Sequence, residues 1–144
     1  MLLDVRGPRF TAAVTSLVLV AVLLTGNGWL ALAQTIVFAF GAVNARLAPY
    51  GAVFRTLLAR RFGPPKEFEP AAPVRFAQAV GFAFATVATA GYLAGAETVG
   101  LVATAAALVA AFLNAAFGLC LGCQLYLALR RAFPARAAVP TAAD

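Results

Sequence analysis

Two long runs of apolar side chains dominate the chain, and charge is confined to the gaps around them. From Phe10 to Val43 no side chain is charged, and from Phe76 to Leu129 the only charged one is Glu97. A run of about 18 such residues crosses a hydrocarbon core about 30 Å thick as a helix, whose backbone polar groups are satisfied internally. Each run has room for two crossings.

Both runs carry an interior break. "TGNGW", Thr25 to Trp29, and "LAGAETVG", Leu93 to Gly100, supply the Gly and Asn that a tight turn requires. The pattern therefore predicts four transmembrane helices, at approximately 10–25, 29–47, 76–94 and 98–117.

An internal repeat refines this. "NARLAPYGAVFRTLLARRFGP", Asn44 to Pro64, lies without a gap on "NAAFGLCLGCQLYLALRRAFP", Asn114 to Pro134, at a constant offset of 70. Asn44-Ala45 falls on Asn114-Ala115, Arg60-Arg61 on Arg130-Arg131, and Pro64 on Pro134; Arg9-Phe10 and Arg75-Phe76 open the two halves. Each unit is helix, turn, helix and a short closing segment, so the copies share one orientation and are related by an axis along the membrane normal.

The repeat also resolves a length problem. Thr98 to Leu129 would span about 48 Å as one helix, too long for an ordinary crossing. Its first-half equivalent is interrupted by Pro49 and Gly51. The fourth helix is thus expected to end near Phe117 or Gly118, with a separate interfacial helix over about Leu119 to Arg131, the twin of "PYGAVFRTLLARR". The expected fold is all-α: a single membrane domain over 1–144, a four-helix integral bundle of two tandem helix pairs (about 5–64 and 74–134), each followed by an interfacial helix, with a disordered tail at 135–144.

Composition agrees. The chain is 63% hydrophobic and 11% charged, well below the roughly one quarter charged of a soluble domain. All eleven Lys and Arg residues fall before Phe10, between Val43 and Phe76, or after Leu129, and none in the two short turns. The positive-inside rule then places both termini and the middle loop in the cytoplasm, with the protein in the inner membrane. A net charge of +6 set at helix ends serves topology and anionic headgroups, not nucleic acid. Arg6, Arg9 and a later "ALA" at Ala31 to Ala33 imitate a signal peptide, but the apolar run continues past that point, and the segment is read as retained.

Both cysteines of the chain, Cys120 and Cys123, sit three apart in "FGLCLGCQL". The repeat sets them opposite Tyr50 and Val53, in the first turn of the second interfacial helix. Three readings follow. Each can be an inert small hydrophobe packed between helices. They can form a redox pair, because a CxxC at a helix N-terminus is favoured as thiolate; Cys120 would then be the nucleophile and Cys123 the resolving thiol, with Gly122 keeping the loop small, Gly118 supplying the bend and Gln124 adjoining. Or the two thiolates bind a soft metal ion such as Cu(I), or zinc or an iron–sulfur cluster across a homodimer, since there is no histidine and one pair supplies only two of four ligands.

Of the amides in the spans, Gln34, Gln78 and Gln124 among them, Asn44 and Asn114 recur near the inner ends of helices 2 and 4 and are expected to join the halves by interhelical hydrogen bonds. No acid–base constellation or phosphate loop is present, which disfavours hydrolysis and phosphoryl transfer.

"DVRGPRFTAAV", "PVRFAQAVG" and above all "FLNAAFGLCLGCQLYLALRR" resemble a family of small bacterial integral membrane proteins classed only as a domain of unknown function. The resemblance spans about residues 3 to 133. Members are often encoded near rhodanese-type sulfurtransferases and thioredoxin-like proteins, which implies a role in sulfur or thiol metabolism carried by Cys120 and Cys123. The expected function is a cytoplasmic-facing membrane thiol/disulfide or sulfur-relay protein with such a soluble partner and no cofactor. The alternatives are a non-enzymatic anchor or small-solute channel with structural cysteines, or a thiolate metal site.

Overall fold

The computed structural model describes residues 1–134; the expected disordered tail, 135–144, lies outside them. Six helices make up most of this part: α1 (Arg6–Thr25), α2 (Gly28–Val43), α3 (Pro49–Val53), α4 (Ala71–Leu93), α5 (Glu97–Phe117) and α6 (Leu121–Ala132). A single 3₁₀ turn, Ala45–Leu47, precedes α3, and a π-helical turn, Phe54–Leu58, continues it.

Three helices, α1, α4 and α5, are long and apolar enough to span a membrane. α2 is apolar but has 16 residues, about 24 Å of helix. The predicted extension to 47 does not form: the chain turns extended at Asn44 (φ −153°, ψ 123°), and the Asn44 side-chain oxygen accepts the Arg46 N–H at 2.9 Å, starting the 3₁₀ turn. α1 and α4 begin four and five residues earlier than the apolar pattern indicated, because Pro8 and Pro73 lie in their first turns, where a proline costs no intrahelical bond.

The inner faces of the helices are small and weakly polar. α1 buries Thr11, Thr15, Ser16, Leu19 and Val22; α2 buries Ala31, Gln34, Thr35 and Phe38; α5 buries Gly100, Ala103, Thr104 and Ala107. These fall at three- and four-residue spacing, one helical face each. Small residues allow close approach, which is how helices associate without a hydrophobic driving force between them. Gly91 meets the backbone of Gly100 so closely that a Cβ there would lie 2.6 Å from the Gly100 nitrogen. Buried hydroxyls return to their own helices, Thr104 to Gly100 O at 2.7 Å and Ser16 to Ala12 O at 2.8 Å. The outer surface is the apolar one, with Leu24 82% and Leu17 72% exposed beside Trp29, Val102 and Phe112. Such a surface is far beyond what a protein presents to water.

The helices interlock: α2 packs chiefly on α4, and α1 on α5. Thr35 and Thr89 hydroxyls meet at 3.1 Å between α2 and α4. Gln34, 1% exposed, donates to Thr15 at 3.5 Å and accepts from the Tyr50 hydroxyl at 3.0 Å, joining α1, α2 and α3. The Asn27 side chain caps α2 by accepting the Trp29 and Leu30 N–H groups at 2.9 and 3.3 Å.

Two short strands depart from the all-α expectation. β1 (Leu2–Asp4) pairs antiparallel with β2 (Phe68–Pro70), Leu3 opposite Glu69. This ribbon fixes the starts of α1 and α4 at one end of the bundle. Arg6 reinforces it, gripping Asp4 at 2.8 Å and donating to the Phe62 and Gly63 carbonyls, both at 3.1 Å.

Candidate functional site

At that same end α5 stops at Gly118, whose left-handed backbone (φ 68°) is open to glycine at little cost. The Gly118 and Leu119 N–H groups return to the Asn114 and Leu113 carbonyls at 3.0 and 3.2 Å. The chain reverses, and Cys120, extended at φ −82° and ψ 99°, becomes the N-cap of α6. Its Sγ accepts the Cys123 N–H at 3.2 Å, the role a Ser or Asn oxygen usually has. Cys120 and Cys123 are joined as a disulfide with Cα atoms 5.1 Å apart, within the span such a bond allows.

Between them, Gly122 faces α4. A Cβ on it would lie 2.6 Å from both Cα and Cβ of Ala77, so the glycine sets how closely the pair is held to the bundle. Farther along, Tyr126 packs against Phe76 with the rings tilted and their centroids 5.7 Å apart, and Arg130 lies 5.9 Å over the Tyr126 ring. No residue of α6 is fully buried, as for a helix lying on a bundle's end.

Both cysteines line a cavity of about 110 Å³ whose other polar walls are Arg9, Thr11 and Thr15 of α1, Glu69 of β2, Gln78 of α4 and Asn114 of α5. Arg9 reaches across to donate to the Ala115 carbonyl at 3.4 Å. Glu69 is half-buried, and that burial pushes its carboxyl up from its ordinary value. A disulfide at a helix N-terminus, beside one cation and one acid, can open by thiol exchange: the helix end and the guanidinium favour a thiolate, and the carboxyl can carry a proton.

Of the residues picked out from sequence, Cys120, Cys123, Gly118 and Asn114 line this one cavity, and Gly122 packs beneath it. Gln124 is exposed, its N–H making the 3.0 Å bond to Cys120 O that begins the helix. Asn44 is exposed and caps its own turn rather than crossing between helices; Gln34, Tyr50, Thr35 and Thr89 make the interhelical bonds. Arg9 and Glu69 were missed. Arg9 read as a topology signal, and Glu69 had only the alternation of "EFEP" to mark it as strand. Among the described residues no three His, Cys, Asp or Glu side chains cluster as metal ligands, so a four-ligand metal site there would take ligands from a second chain.

No curated protein and no solved structure matches the chain. Residues 3–131 match the family model described as Domain of unknown function (DUF4395), and the chain belongs to that family.

Proposed function

We propose that this is a membrane-embedded thiol/disulfide or sulfur-relay protein whose Cys120–Cys123 pair works at the cytoplasmic end of a four-helix bundle. The observation that carries it is the pair itself, closed at the N-terminus of α6 on the wall of a cavity shared with Arg9 and Glu69. When the bond opens, the N–H that Cys120 Sγ accepts from Cys123 favours charge on Cys120, making it the nucleophile. A single pair in a reducing compartment serves transient exchange better than structural stapling. Its partner is a soluble dithiol or sulfurtransferase protein of thioredoxin-like or rhodanese type.

Orientation follows from the basic side chains, which gather at the end that holds the ribbon, α3 and α6. α2 is the fourth crossing, short because Asn44 ends it at the interface. Support for a duplication comes from matched contacts. Arg9 of α1 donates to Ala115 O at the end of α5, and Arg75 of α4 donates to Ala42 O at the end of α2, at 3.0 Å. α3 packs on α1 as α6 packs on α4.

The test is cysteine alkylation in intact cells and in inverted inner-membrane vesicles, before and after reductant. Labelling of both cysteines only in inverted vesicles and only after reduction is expected. Labelling from outside the cell overturns the orientation; no labelling in either after reduction overturns the redox role.

A further inference from the structure

Strand β2 is inverted. Along Phe68–Pro70 the glutamate is the half-buried residue, while Phe68 and Pro70 are exposed. A strand sends alternate side chains to opposite faces, and the usual arrangement turns the apolar one inward. Here the register with β1 turns Glu69 inward, and it lines the cavity that holds the disulfide. Half-burying an acid without a partner is unfavourable, and among the described residues Glu69 makes no ion pair, the only one being Asp4 with Arg6; its carboxylate oxygens stay open to water. The ribbon's own stability therefore gives no reason for an acid at this position, whereas the chemistry of the adjoining sulfurs does.

We propose that Glu69 is the proton carrier of the Cys120–Cys123 pair, protonating the sulfur that leaves when the disulfide opens; this rests on the thiol/disulfide reading above. The reductant is a dithiol. One of its sulfurs, as thiolate, attacks Cys120 Sγ, forming a mixed disulfide and breaking the Cys120–Cys123 bond. Cys123 leaves with the electron pair and takes the proton of the Glu69 carboxylic acid. The Glu69 carboxylate then removes the proton of the dithiol's second thiol, which attacks its own mixed-disulfide sulfur and expels Cys120 as thiolate. The dithiol ends as a disulfide, the pair ends as one thiol and one thiolate, Glu69 is protonated again, and one proton has gone to solvent. The reverse sequence oxidises the pair.

The burial that raises the Glu69 carboxyl makes it hold its proton to higher pH than an exposed glutamate would, the direction that favours a proton donor. The charged groups about it are Arg9 of α1 in the same cavity, Asp4 and Arg6 bound to each other, and Lys66 and Glu67 on its own segment. On the other packed elements, Arg75 of α4 is held by Ala42 O, and Arg130 and Arg131 stand in the last turn of α6. Among the described residues, Arg9 is thus the one cation sharing the cavity with Glu69.

The experiment uses the full chain in nanodiscs. The reduced protein is alkylated with iodoacetamide across pH, each cysteine being read by mass spectrometry, and opening of the oxidised pair by dithiothreitol is timed in parallel. Glu69→Gln is expected to lower the apparent pKa of Cys123, about tenfold more thiolate at fixed pH for each unit, and to slow opening near neutral pH by about a hundredfold, with Glu69→Asp restoring part of the rate. Unchanged profiles and rate in E69Q overturn the proposal while leaving the redox pair standing. A wild-type pair that dithiothreitol does not open overturns both. Should E69Q fail to fold, the oxidised-minus-reduced infrared difference spectrum of the wild type decides: Glu69 is protonated in both end states but faces a disulfide in one and a thiol and thiolate in the other, so a shifted carboxyl band that persists in Asp4→Asn and Glu67→Gln is expected, and the absence of any shift overturns the assignment.

Discussion

Gly122 and Ala77 are in backbone contact: the space a Cβ would occupy on Gly122 is already filled by the Cα and Cβ of Ala77, each 2.6 Å away. The glycine of the two residues between the cysteines is therefore a point at which α6 rests on α4. Gly122→Ala pushes α6 off α4, a shift of backbone against backbone that overpacking data put at about 1–3 kcal/mol. A lower midpoint in detergent-phase thermal unfolding, with faster alkylation of the reduced pair, is expected; equal values of both would remove the contact as a determinant of the site.

Arg9→Gln takes the cation from the cavity. Since a guanidinium beside a thiol favours the thiolate, alkylation of reduced Cys120 at pH 7 should fall about tenfold for each unit its pKa rises. Arg9→Lys keeps the charge and should recover most of the rate. If R9Q and R9K behave alike, the hydrogen bond to Ala115 O matters and the charge does not.

Tyr50→Phe leaves the Gln34 oxygen, in a side chain only 1% exposed, without the donor it has at 3.0 Å. A buried orphan acceptor costs about 1–3 kcal/mol, and membrane measurements of such bonds average about 0.6 kcal/mol. A loss of about 1 kcal/mol in mixed-micelle unfolding is expected for Y50F, smaller when combined with Gln34→Leu. Additive losses in the double variant would show that the two side chains are not coupled.

Glu69 and Asp4 tilt stability with pH in opposite senses. Burial raises Glu69, so the folded state holds that proton more tightly; the stabilisation is complete below the unfolded glutamate value and is lost as pH rises through the folded one. Asp4 is lowered, first by the side-chain hydrogen bond from Arg6, so its stabilisation is present above the ordinary 3.8 and is lost as pH falls through the folded value. E69Q should flatten the decline in unfolding midpoint as pH rises above the ordinary glutamate range, and D4N the decline in acid. A variant whose pH curve parallels that of the wild type would show that its carboxyl is not linked to folding.

The helices α1, α4 and α5, the turns at Gly26 and Gly95, the stop at Gly118 and the start of α6 beside Cys120 were all legible in the sequence. Each is written locally, as an apolar run, a glycine able to take positive φ, or a break in the pattern. The apolar pattern puts the starts of α1 and α4 four and five residues too late, because charge marks where a bilayer ends and not where a helix begins.

Three features were not legible in the apolar pattern. The β1–β2 ribbon joins Leu3 to Glu69 across most of the first half of the chain, and two three-residue strands carry no readable period. The early end of α2 follows from the Asn44 cap competing with helix for the Arg46 N–H. The convergence of Arg9 and Glu69 on the cysteines depends on α1 packing against α5 while the ribbon lies beside both. By itself the sequence determined that this chain has an apolar exterior, with helices long enough to cross a membrane, and one thiol pair at the start of a helix, because hydropathy and spacing are properties of neighbours along the chain. Which charges face that pair was decided only by tertiary structure, because they come from elements far apart in sequence that meet only once the helices interlock.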